Sequence, residues 1–554
     1  MEIRGNIVDI LQERIFAGTI EIEFAGADAP GRIAGITETG PEDSSLDYVL
    51  PGFIDSHVHI ESTLLTPANY APLASEHGVT GAICDPHEIA NVLGVEGVDY
   101  MLGSAAQVRF NFHFAASPCV PSTAFEHSGA VLDSAAVEAL LRKDGIYGLG
   151  EMMNVPGLVF GDPEVLAKVG AARRLGKPID GHMPGASEEW VKICAGAGIV
   201  TDHECSDLGE AELRLENGIS VLIREGSAAR NFSALHPLLS EDRHRGKLMF
   251  CSDDKYADDL QSGYIDDLVR ESVRLGHPLW NVLRAACINP VLTYGTADGI
   301  LRQGDKADFI VVSDLNEFAV KGAYVGGRKA GERLSSGESA PAPNNFKALP
   351  LQASDIAVPA KGGGIRVIRA FDGELLTESV ICDARVEDGM AVSDTDNDVL
   401  KLIVYNRYTP GAKPAVGFVS GFALKSGAIA CSIGHDSHNI TALGCSDGEI
   451  ARAVNALVES RGGMAVVSPT EGTVVLPLPV AGLMSDEPGE KVAAQYRKIK
   501  EAVLTTGCTL QAPLMTMSFL PLPVIPKLKL TDIALFDSEK FEFCELFPEG
   551  ARRA

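Results

Sequence analysis

The sequence predicts an α/β fold: a TIM-type (β/α)8 barrel, a small split β-sandwich domain from both flanks and a C-terminal α+β domain. Three observations carry this. Eight short apolar runs alternate with Ala/Leu/Glu/Arg-rich helical stretches across residues 50–299. Runs of alternating apolar and polar residues lie on both sides of that block, in 1–49 and in 300–334. A Pro/Ser/Gly/Asn-rich linker, 335–345, sets off the remainder, 346–554.

In chain order, the first flank offers strands at 6–10, 18–24 and 31–36, and the second flank offers 304–312 and 324–328. The barrel strands are expected at 48–57, 79–84, 111–116, 147–150, 178–180, 199–201, 219–223 and 247–251. Stretches such as 162–176 and 258–276 are long enough for the intervening helices. The third region mixes strand-like runs, such as 400–405, with a helical stretch at 448–461.

Composition narrows the function. The chain has 554 residues, 22% of them charged, and a net charge of −28. That charge argues against a nucleic-acid backbone or an anionic membrane surface as partner, but not against a nucleobase, which carries no phosphate. There is no apolar run of membrane-spanning length. The start, Met1-Glu2-Ile3-Arg4-Gly5, leads straight into a strand pattern, and the eleven cysteines include no Cys-x-x-Cys pair. Reduced thiols and a cytoplasmic location are therefore expected. Eleven of the thirteen histidines precede residue 300, which places the chemistry in the first part of the chain.

The polar residues following the strands form an ordered set. The first strand ends in His57-Val58-His59, and residues i and i+2 of a strand share a face, so both imidazoles can reach one ion. The second runs into Asp85-Pro86-His87-Glu88, the fourth into Glu151, the fifth into His182 and the sixth into Asp202-His203-Glu204. The seventh is followed by Arg224-Glu225-Gly226-Ser227 and the eighth by Ser252-Asp253-Asp254. A barrel places its functional groups at these ends. The set suffices for two divalent ions: His57 and His59 on one, His182 and His203 on the other, Glu151 bridging, and Asp253 completing the first site. His87 is a further metal ligand, a substrate-orienting group or a histidine held in the turn after Pro86.

This order resembles the amidohydrolase superfamily, and within it the adenine deaminase family. The stretches that carry the closer resemblance are His57–Ser62, Cys84–Gly94, Ser117–Pro121, Gly148–Asn154, Asp180–His182 and Ile223–Ala229, with Gly434–Ile440 and Leu476–Ser485 in the third region. After Asp254, the run Lys255-Tyr256-Ala257 departs from the Arg-His-Pro type expected there. The resemblance implies hydrolytic deamination of adenine to hypoxanthine and ammonia by a metal-activated hydroxide in a binuclear centre. Mn or Fe is favoured by the family, and Zn is admissible by donor type. Asp253 would take the proton of the attacking water and pass it to the leaving amine. Glu61, Glu88 and Glu225 are candidates for protonating the ring, and Arg224, Glu225, Ser227 and Ser117 for holding the purine, with a structural ion pair as the alternative for Arg224 and Glu225. A small-molecule purine partner and a homodimer or higher homo-oligomer are implied as well. The alternatives are another 6-substituted purine, such as N6-methyladenine, and a cyclic-amide hydrolase, although the latter commonly bridges its ions with a carboxylated lysine where this chain has Glu151.

Overall fold

The computed structural model describes residues 1–26, 29–334 and 342–548. Eight parallel strands pair in sequence order: β1 (Phe53–Val58), β2 (Val79–Cys84), β3 (Asn111–Ala116), β4 (Ile146–Met152), β5 (Ile179–Gly181), β6 (Ile199–Asp202), β7 (Ser220–Arg224) and β8 (Leu248–Cys251). β8 returns to β1 through a parallel bridge between Val58 and Asp253. There the Asp253 N–H donates to the His57 carbonyl at 2.9 Å, and the His59 N–H donates to the Asp253 carbonyl at 3.2 Å. The seam that closes the barrel thus runs through three of the expected metal ligands. Helices between the strands cover the outside. The helix Pro163–Arg174 is started by Asp162, whose carboxylate accepts the amides of Glu164 and Val165, a cap worth about 1 kcal/mol. Phe114 and Phe250 lie fully inside, each contributing roughly 1.5–3 kcal/mol of burial.

Three expected elements are corrected. The run 48–57 is not one strand: Tyr48–Leu50 belongs to the flanking sheet and only Phe53–Val58 to the barrel. Pro51 lacks an N–H for either ladder, and a Cβ at Gly52 would collide with Thr80, so the chain changes sheets at this pair. The stretch 324–328 is a hairpin, with Val320–Val325 and Arg328–Lys329 paired across Gly326 and Gly327, both in the left-handed region at φ 57° and 70°. The stretch 258–276 is two helices, Ala257–Ser262 and Ile265–Arg274, interrupted where a Cβ at Gly263 would strike the Asp267 carboxylate.

Both flanks enter one seven-stranded sheet, in which Tyr48–Leu50 lies parallel to Glu2–Asp9 and antiparallel to Phe309–Val312. Ile7, Phe16, Ile20 and Phe309 pack in its core. The third region is built on an eight-stranded sheet with the helices Asp447–Ser460 and Gly489–Thr505. Its buried side chains are continuous with those of the barrel, which seats the loop between Ala428–Cys431 and Ile440–Gly444 over the strand ends. Of the expected linker, 335–341 lie outside the described residues; Asn344 and Asn345 donate to the carbonyls of Arg461 and Val92. Among the described residues no helix is long and apolar enough to cross a membrane.

Candidate metal centre

The ends of β1, β4, β5, β6 and β8 bring their polar residues to one buried point. His57 Nε2 and His59 Nε2 face each other at 3.2 Å. Glu151 reaches both sides: Oε1 lies 3.6 Å from His59 Nε2, while Oε2 lies 3.0 Å from His182 Nδ1 and 3.1 Å from His203 Nε2. Asp253 Oδ1 is 3.1 Å from His59 Nε2 and 3.7 Å from His57 Nε2. Asp253 adopts φ 56°, an uncommon conformation for a residue with a side chain.

These residues fit two divalent cations. The triads His57–His59–Glu151 and Glu151–His182–His203 each gather their donor atoms within 4.8 Å and share Glu151; His57–His203–Asp253 is a third such triad. Imidazole nitrogens and carboxylates are the donors that Zn, Mn and Fe accept. Burial, with His203 and His59 beside it, lowers the His57 pKa to about 3, whereas, against burial, the neighbouring carboxylates raise those of His59, His182 and His203, so a cation would displace protons from these rings on binding. Burial works against charge on Glu151 too, yet His182 and the other imidazoles hold it well below the usual carboxylate range.

A second layer holds the ligands. Asp85 accepts the Glu151 amide at 2.9 Å and the Ser117 hydroxyl at 2.7 Å, and its carbonyl lies 3.0 Å from His59 Nδ1. A Cβ at Gly150 would strike the Asp85 carboxylate, so the strand before Glu151 needs glycine there. Asp55 accepts the amides of His57 and Ser252 and the hydroxyls of Ser252 and Tyr264, tying β1 to β8. Arg224 Nη1 donates at 2.5 Å to both Glu204 Oε1 and Asp253 Oδ2. Despite burial, its guanidinium keeps the Asp253 carboxyl well below the usual range.

The remaining expected residues separate. Glu61 is buried; Oε1 accepts the Ile89 amide at 3.1 Å, Oε2 has no hydrogen-bond partner, and burial pushes its pKa up to about 7. His87 Nδ1 lies 3.3 Å from Glu151 Oε1 and Nε2 lies 3.4 Å from Glu88 Oε1, so the ring stands between the centre and Glu88. Ser117 is fully buried, and its hydroxyl donates to Asp85. Glu225 points to Arg230 at 3.5 Å and is partly exposed. The Ser227 hydroxyl donates to Asp259 and accepts the Tyr256 amide. Neither joins the centre, because they follow β7 on the turn beyond Arg224. Arg224 is ion-paired with Glu204 and Asp253.

Sequence reading missed Asp55, Asp85 and Glu204 as functional positions. A carboxylate inside an apolar strand was the available signal for Asp55, and adjacency to His203 the signal for Glu204. The third region also reaches the neighbourhood of the centre. His435 Nδ1 of the third region lies 2.5 Å from Glu88 Oε1, and His438 touches the other Glu88 oxygen. On the opposite side, a cavity of about 420 Å³ opens onto His182 and is lined by Met153, Val155, Trp190 and, from the third region, Val524.

A model of the amidohydrolase family matches residues 48–330, and one of the adenine deaminase C-terminal domain matches 374–542. A curated relative named adenine deaminase, from Salinibacter ruber, is 49% identical over 98% of this chain and 98% of its own length. The chain belongs to the adenine deaminase family. Relatives of the same name from Methanosarcina barkeri and Borreliella burgdorferi are 45% and 38% identical, each over 98% of this chain and 99% of their own. Membership in the adenine deaminase family covers the barrel and the third region together, in keeping with the way both approach the centre.

Proposed function

We propose that the chain hydrolyses adenine at C6, giving hypoxanthine and ammonia. The observation that carries this reading is Glu151, shared by two buried ligand triads beside Asp253, in a chain whose relatives bear the name adenine deaminase. When bound, two divalent cations supply Lewis acidity that makes water a nucleophile at neutral pH; Mn or Fe is the preferred pair. Their holders are His57, His59, His182, His203, Glu151 and Asp253.

The chain's own groups do the rest. Asp253 keeps Oδ2 on Arg224 and turns Oδ1 toward His57 and His59, where it accepts the proton of the water that adds to C6. It returns that proton to the exocyclic nitrogen as the C6–N bond breaks and ammonia leaves; the hydroxyl on C6 gives up its own proton as it becomes the carbonyl, which restores the acid that protonated the ring. The ring nitrogen gains a proton as C6 becomes tetrahedral. Glu61 suits that donation because one oxygen is anchored by the Ile89 amide and the other is unpartnered. Glu88 is engaged by His435 and His438, and Glu225 faces Arg230, so neither is available in the same way. The cavity beside His182 is the route by which a purine reaches the centre. A cytoplasmic, homo-oligomeric enzyme completes the reading, and the eleven free cysteines suit a reducing compartment.

A substrate panel on Mn-loaded protein tests it: adenine, N6-methyladenine and a cyclic amide, followed by hypoxanthine and ammonia release. Adenine is expected to be the best substrate. Turnover confined to the cyclic amide would overturn the reading.

A further inference from the structure

Where the third region meets the barrel, a second set of donor atoms gathers outside the two-cation centre. His87 and Glu88 open the helix His87–Leu93. His435, Asp436 and His438 come from the loop between Ala428–Cys431 and Ile440–Gly444. That loop is held independently of Glu88: the His435 amide donates to the Ser518 carbonyl, Tyr408 donates to the Ser437 carbonyl, and Asn439 donates to the His127 carbonyl of the barrel. The His435 ring stacks on Phe519 at 4.4 Å and 8°. All five side chains are at most 3% exposed.

Their donor atoms converge. His87 Nε2 lies 3.4 Å from Glu88 Oε1 and 3.8 Å from Asp436 Oδ1, and His435 Nδ1 lies 4.0 Å from Asp436 Oδ1. Ligands about 2.0–2.2 Å from one tetrahedral ion stand roughly 3.3–3.5 Å apart; the His87–Glu88 separation matches this, and the two Asp436 separations are longer. The Glu88–His435 contact, at 2.5 Å, is shorter than two ligands of one ion allow, so these two side chains part on binding. The second observation is orphaned polarity. Glu88 turns its two oxygens to His435 and His438, in contacts that are close but not aligned as hydrogen bonds, while Asp436 Oδ2 and His438 Nδ1 have no hydrogen-bond partner at all. Buried groups in that condition are costly, and carboxylates most of all. A cation among them removes the penalty.

We infer that this junction is a third cation site, distinct from the binuclear centre. It takes a borderline divalent metal such as Mn, Fe or Zn on His87 Nε2, Glu88, His435 Nδ1 and Asp436. The ion clips the loop of the third region to the barrel and fixes the cover over the strand ends. His87 then stands between the two sites, with Nε2 toward the junction and Nδ1 toward Glu151.

Metal content of the full-length Mn-reconstituted protein tests this without reference to turnover. A variant carrying His435→Gln and Asp436→Asn is expected to hold one equivalent fewer than the parent. A variant carrying His57→Ala and His59→Ala is expected to keep that junction equivalent while losing metal from the centre. Equal metal content in the parent and the His435→Gln/Asp436→Asn protein overturns the inference. Should that variant fold poorly, crystals of the unmodified Mn-loaded protein decide. An anomalous peak among His87, Glu88, His435 and Asp436 supports the site, and its absence overturns it. A failure of the binuclear reading looks different: His57→Ala/His59→Ala would then leave the metal content unchanged.

Discussion

The two clusters of buried histidines and carboxylates are built in opposite ways. In the centre, the six ligands ride on the ends of five different strands, and a barrel fixes those ends relative to one another. At the junction, three groups come from a single eight-residue loop, 432–439, and two from the first turn of one helix. The centre is therefore prearranged by the fold itself, whereas the junction exists only when a separate region docks. The difference teaches that the centre's chemistry should be sensitive to the carboxylates behind the ligands, and the junction's to the packing of the third region.

Arg224→Met should give the largest effect on the barrel side. It leaves Glu204 and Asp253 as buried charges without their shared cation, a change that costs about 3–5 kcal/mol. Chemical denaturation measures it. A loss under 1 kcal/mol would mean that the pair is solvated and that the centre is less closed than described. Asp85→Asn should follow. It keeps the size of the side chain but weakens its hold on the Glu151 amide and Ser117, and supports of this kind change metal affinity or activity by about 10–100-fold. Metal titration of the variant would show it, and unchanged affinity and turnover would break the contrast between the two clusters. Ser117→Ala should be smallest, near 1 kcal/mol of stability with KM for adenine essentially unchanged, because its hydroxyl is spent on Asp85. A selective rise in KM would mark it as a purine contact.

The same contrast explains what could be read from the chain before folding. The barrel was legible because each buried strand is a short apolar run followed at once by its polar residues, so period and position coincide. His57, His59, Glu151, His182, His203 and Asp253 all follow that rule, and the structure brings them together. The rule misleads just beyond the strand end. Arg224 turns inward, but Glu225 and Ser227 turn away to Arg230 and Asp259, because a tight turn redirects consecutive side chains. At 48–57 the apolar run hides a change of sheet that only Pro51 and Gly52 mark. His435 and His438 were visible as residues, but their place against Glu88 depends on docking across about 350 residues of sequence, which no local pattern encodes.

The most direct test of the centre is the rate of ammonia release from adenine by Asp253→Asn protein, with metal content determined on the same sample. Asn keeps the shape and a donor oxygen but cannot accept the water's proton. The expected result is a fall in kcat on the order of 10²–10⁴-fold with the cations still bound. A variant that keeps its metal and turns over adenine at the unmodified rate would contradict the role given to Asp253, and with it the account of how the strand ends of this barrel perform the reaction.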